Sequence, residues 1–145
     1  MMDLLDRPLH PIVVHFPISL YLLGVLMTTV YLWRRRVAYD QFAYWSFLLA
    51  WPANLVASLM GLIDQNRLDY LDPRRDAINN HITAGVVLLI LNGLVIYMRF
   101  RWPGLLREPG RRWQYLALML AGVAALVVTG WLGGELVYQL RVGIE

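Results

Sequence analysis

Residues 115–140 read YLALMLAGVAALVVTGWLGGELVYQL, a run in which Glu135 is the one charged side chain. About 20 mainly apolar residues, rising 1.5 Å each, cross the ~30 Å hydrocarbon layer of a membrane, so this stretch is long enough to span one. Three more stretches meet the same test: Pro11 to Trp33, Phe42 to Ile63 and Ile78 to Met98. Lipid offers no hydrogen bonds to a backbone, and only a helix satisfies its own within a single segment. The expected fold is therefore all-α, an integral-membrane four-helix bundle forming a single transmembrane domain over residues 1–145. The first and third connections are short, which makes consecutive helices antiparallel neighbours in an up-down-up-down order.

Composition agrees with a lipid solvent. Hydrophobic residues make up 59% of the 145, and the mean hydropathy is +0.50, outside the range of an ordinary soluble domain. Cysteine is absent, which removes iron–sulfur clusters, covalently attached haem, thiolate zinc sites and thiol redox chemistry from the intrinsic activities. Any metal must then be held by histidine and carboxylates. The net charge of +3 comes wholly from arginine, since lysine is also absent. Those arginines cluster at the ends of the apolar runs, where they read as topology signals and not as a nucleic-acid surface. The acidic opening Met-Met-Asp-Leu-Leu-Asp-Arg lacks the pattern of a cleavable signal.

Arginine placement also predicts orientation. Arg34, Arg35, Arg36, Arg99, Arg101, Arg107, Arg111 and Arg112 fall on one side, against Arg7, Arg67, Arg74, Arg75 and Arg141 on the other, where aspartates offset them. By the positive-inside rule both termini and the second loop face outward. Trp33, Tyr39, Trp45, Trp102, Trp113 and Tyr115 mark the arginine-rich boundary as an interfacial aromatic belt. In the second loop, Gln65 to Asn80, the Asp72-Pro73 pair predicts a turn, with Asp76 or Asn79 capping the next helix.

Ionisable groups inside a membrane are costly and usually have a use, so their depth matters. His15 lies roughly 5 Å below the outer boundary, His81 is similarly placed on the third helix, Asp64 closes the second helix at that rim, and Glu135 sits about 8 Å from the end of the fourth. Each helix thus brings one such group to one leaflet, with His10 just above. In an up-down-up-down bundle the first and third helices are diagonal partners, which allows His15 and His81 to face each other and ligate one haem b axially. Gly130, Gly133 and Gly134 on the fourth helix, with Ala57 and Gly61 on the second, leave room for a flat macrocycle or for another helix. Pro17, placed inside the first helix, is expected to free the carbonyl of Val13 beside His15.

Each feature also has a plainer use. A lone histidine near a helix start serves as an interfacial hydrogen-bonding residue, Asp64 as a solvated or arginine-paired rim charge, and the glycines as a packing face. Glu135, with Leu132, Leu136 and Val137 around it, calls for a partner such as His10, His15, His81 or Tyr138.

The stretches His10-Pro11-Ile12-Val13-Val14-His15-Phe16-Pro17-Ile18 and Gly61-Leu62-Ile63-Asp64, then His81, then Gly130-Trp131-Leu132-Gly133-Gly134-Glu135-Leu136-Val137-Tyr138 with Gly143 beyond, resemble a bacterial membrane family. It is the one labelled domain of unknown function 2231, and the likeness covers nearly the whole chain. The resemblance implies a small four-helix protein of the bacterial cytoplasmic (inner) membrane, found in some relatives beside or fused to redox modules such as Rieske-type proteins. It implies recurring polar positions at His10, His15, Asp64, His81 and Glu135, and no established reaction.

Three functions compete. The first is a b-type haem held by His15 and His81, relaying electrons near the outer face, with a quinone or an external acceptor as partner. The second is a zinc, iron or copper ion, or a proton site, built from His15, His81, Asp64 and Glu135, with His10 and Tyr138 behind them. The third is an accessory subunit of a larger membrane redox or photosynthetic complex, its glycine faces serving as contacts. A stand-alone enzyme is disfavoured, because Ser19, Ser46 and Ser58 lie in no recognisable nucleophile motif.

Overall fold

The computed structural model describes residues 13–66, 69 and 71–142. Four helices account for most of them: α1 (His15–Arg34), α2 (Val37–Gln65), α3 (Arg75–Arg101) and α4 (Pro109–Tyr138), with one turn of 3-10 helix, Leu105–Arg107, between α3 and α4. All four are long and apolar enough to cross a membrane, and no strand occurs among the described residues.

Contact registers show the helix directions. Between α2 and α3, Phe47 meets Asn92, Trp51 meets Leu89 and Asn54 meets Gly85, so numbers rise on one helix as they fall on the other. His81 and Arg99 of α3 lie against Thr129 and Tyr115 of α4 in the same opposed sense. Tyr21 of α1 donates to the Met119 carbonyl of α4 at 3.0 Å and packs edge-on against Phe47 of α2. These registers make the up-down-up-down bundle predicted above. Its α1–α2, α2–α3 and α3–α4 seams are broad, whereas α1 and α4 touch only briefly.

That brief closure depends on a missing side chain. A Cβ on Gly122 would run into the Tyr21 hydroxyl, so only glycine lets the buried phenol reach α4. Around it lie Tyr21, Tyr31, Phe47, Leu88, Val95, Leu105, Leu106, Tyr115 and Met119, the buried core. Many other large apolar side chains are exposed on the outside, among them Trp33, Leu49, Ile90, Phe100, Val127 and Trp131. A lipid-solvated protein is built in this way, since hydrocarbon makes no distinction between leucine and acyl chain.

Several boundaries differ from the sequence expectation, each for a physical reason. α2, α3 and the start of α4 run past the hydrocarbon-length segments, because polar and aromatic residues continue a helix once water or headgroups can solvate them. The first link shrinks to Arg35 and Arg36, with Arg35 in the left-handed region (φ 56°) and its N–H donating to the Tyr31 carbonyl at 2.8 Å. The helix α1 is counted from His15, which puts Pro17 in its first turn, where a helix needs no N–H, although Val13 is already helical and Val14 has helical backbone angles. The proposed start at Pro11 lies outside the described residues. α3 begins after Asp72 and not at Asp76 or Asn79: the Asp72 carboxylate accepts from the Arg74 backbone N–H at 2.8 Å and pairs with its guanidinium. That charge partner holds the Asp72 carboxyl below the usual carboxylate range. Tyr115 is not an interfacial ring but a fully buried one.

Candidate functional site

At the end where α1 begins, the expected polar residues are near one another in depth but not in direction. Extending the α1–α4 and α3–α4 registers puts His15 level with the Ala125 turn of α4 and His81 level with the Thr129 turn, a difference of about 6 Å at 1.5 Å per residue. The predicted matching of depth is therefore close. The predicted facing across a shared interior is not found. His15, at the first turn of α1, is exposed, and among the described residues its ring has no hydrogen-bond partner.

His81 is half-buried and turned to α4. Its Nδ1 lies 3.0 Å from the Thr129 carbonyl. A carbonyl only accepts, so Nδ1 carries a proton and donates it to Thr129. Gly133 packs closely here, because a Cβ would stand 3.0 Å from Cε1 of the imidazole and press on the ring. Of the three predicted glycines, then, Gly133 packs against a histidine, while Gly130 and Gly134 face open space.

Glu135 also departs from expectation. It lies two residues, about 200° of helix rotation, from Gly133, and so projects away from His81. With Gly130, Trp131, Gly134, Tyr138 and Gln139 it lines a shallow groove of about 350 Å³ on the outward surface of α4. Trp131 and Tyr138 are 77% and 87% exposed, which puts this groove on the side remote from the core. The Glu135 carboxylate has no hydrogen-bond or ion-pair partner among the described residues. Asp64 is half-buried at the end of α2. Beside it the Gln65 amide donates to Asn79 at 2.7 Å and ties α2 to α3. Among the described residues no three His, Asp or Glu side chains come close enough to hold a metal ion, and His10 lies outside them.

The opposite end holds a polar cluster that the sequence reading passed over. Arg99, 7% exposed, pairs with Asp40 at 2.5 Å and lies 5.8 Å from the centre of the Tyr115 ring. Thr28 is fully buried beside Tyr115, and the Tyr31 hydroxyl holds Arg107, keeping that guanidinium's pKa above its ordinary value. Ends of all four helices are thereby joined. Arg99 had been counted among eight topology arginines; the signal that separates it is register, since Asp40 and Arg99 fall opposite each other on the same antiparallel line as Asn54 and Gly85. Asn54 and Asn92, buried in the middle of the spans, were likewise missed. Each donates to a backbone carbonyl across the α2–α3 seam at 3.3 Å.

The chain belongs to the family of predicted membrane proteins labelled DUF2231, whose match covers residues 6–145. Neither the curated proteins nor the solved structures contain a match to it.

Proposed function

We propose that the protein is an accessory membrane subunit that docks onto a transmembrane helix of a larger membrane assembly, using the outward face of α4 near Glu135. The observation that carries this reading is the Glu135 carboxylate itself, which has no hydrogen-bond or ion-pair partner among the described residues and stands beside two glycines open to approach. A carboxylate in an apolar span is costly alone and is stabilised by a donor on a facing helix. The partner helix therefore carries an arginine, a histidine or an amide at the matching depth, and Gly130 and Gly134 let its backbone come close. The test is migration of mildly solubilised native membranes on native gels. The wild type should run as a complex well above the chain's own mass, and Glu135→Ala or Gly130→Leu should release the subunit with its helicity intact. A wild-type chain that migrates as a free monomer contradicts the reading.

A second reading is favoured by the His81 geometry. An imidazole whose Nδ1–H is held by a carbonyl is fixed in orientation, an arrangement common among metal-ligating histidines. In this reading His81 ligates haem b or a zinc, iron or copper ion at the α3–α4 seam, with His15 outside that seam, and the subunit passes electrons to or from a quinone. Protein made with haem available should show a reduced-minus-oxidised haem spectrum that His81→Ala abolishes. A colourless, metal-free, fully helical preparation contradicts it.

A further inference from the structure

The arginine-rich end carries far more positive charge than its own acids neutralise. Among the described residues Asp40 and Glu108 are the acids there, and both are already engaged, Asp40 by Arg99 and Glu108 by Arg111 at 2.5 Å. Arg34, Arg35, Arg36, Arg101 and Arg107 remain exposed with no carboxylate partner among the described residues, and Arg112 is half-exposed beside them.

These cations are not splayed at random. The guanidiniums of Arg101 and Arg111 both lie over the Trp102 indole, 5.5 and 5.1 Å from its centre, which brings two like charges to one ring. Arg34 lies 4.2 Å from the centre of Trp33, and Arg112 5.6 Å from that of Trp113. Stacking on an indole fixes a guanidinium's plane while leaving its N–H fork directed outward, ready to bind a phosphate with two hydrogen bonds. Tryptophan at a span end sits at headgroup level, where the phosphates of the bilayer are.

We infer that this end binds the phosphate groups of anionic glycerophospholipids, with Arg101, Trp102 and Arg111 as the central clamp. Three features select this occupant. The charge is complementary, the depth set by the indoles is that of headgroups, and, Arg99 and the Glu108-paired Nη1 of Arg111 apart, the arginines at this end have no carboxylate partner among the described residues. Zwitterionic lipid offers the same phosphate with its charge cancelled and binds less well. The clamp does not involve the α4 groove or His81, and its test is independent of both.

The measurement is quenching of tryptophan fluorescence in reconstituted full-length protein. Phosphatidylcholine vesicles carry a tenth of their lipid either as brominated phosphatidylglycerol or as brominated phosphatidylcholine. The anionic quencher should be enriched around the wild type several-fold, and 1 M salt should reduce that enrichment. Arg101→Gln with Arg111→Gln should remove most of it, bringing the two quenchers close to parity. Both side chains are exposed, so the core is untouched; Arg34→Gln with Arg36→Gln is a second variant at the same end and should give a smaller loss. Equal quenching by the two lipids overturns the proposal, as does an enrichment unchanged in the Arg101/Arg111 variant. Abolition of the enrichment by millimolar glycerol phosphate would assign the clamp to a soluble phosphate and overturn the lipid assignment.

Discussion

At the arginine-rich end, one buried ion pair joins α2 to α3, Tyr115 of α4 packs on it, Thr28 and Tyr31 of α1 close the side, and Arg107 reaches in from the connecting turn. The opposite end is more open: α1 starts at an exposed His15, the His81–Thr129 contact and Gly133 lie at the α3–α4 seam, and Glu135 lines a groove on the outward surface of α4. The contrast shows where the polar residues of a small membrane protein serve folding and where they remain available for another molecule. At the first end the polar groups contact each other across helices. At the second, two of the four predicted groups, His15 and Glu135, have no hydrogen-bond or ion-pair partner among the described residues.

The largest effect should come from breaking the closed end. Asp40→Ala leaves Arg99 buried without its counterion, and the expected loss is about 3–5 kcal/mol, read from thermal unfolding in detergent. Replacing both partners by leucine should cost much less, because no orphan charge remains. A single variant that melts with the wild type would show that the pair is solvated and the contrast between the ends false. Next comes the α1–α4 closure. Gly122→Ala sets a methyl against the Tyr21 hydroxyl, with an expected loss of about 1–3 kcal/mol, and Tyr21→Phe on that background should restore part of it.

The smallest effect belongs to the loop at the open end. Pairing with Arg74 lowers the Asp72 pKa, so its contribution is fully present above the unfolded value of 3.8 and is lost as pH falls through the lower folded value. Wild type should therefore lose stability in that acid window more steeply than Asp72→Asn, whose side chain does not titrate. Parallel acid melting curves would contradict the assigned turn.

The four spans and their alternation were legible because hydrophobic length is written along the chain and lipid leaves few other folds. The depth of His15 and His81 was legible for the same reason, as rise per residue converts directly to depth. Direction was not. Which way a side chain points around a helix depends on which face is packed, and in a bilayer both faces are apolar, so Glu135 and Gly133, neighbours in sequence, went to opposite sides. The Asp40–Arg99 pair escaped because an arginine at a span end is ordinarily a topology marker; the antiparallel register sets it apart. Gly122 carried no more signal than Gly130 or Gly134, although it alone of the three meets a tyrosine.

The most direct test of the division between the two ends is to measure, in one series, the mass of the solubilised assembly and the melting temperature of wild type, Glu135→Ala and Asp40→Ala. Glu135→Ala should dissociate the assembly while melting as the wild type does, and Asp40→Ala should lower the melting temperature sharply. A Glu135→Ala chain that keeps its assembly, or that is destabilised as much as Asp40→Ala, would contradict the account.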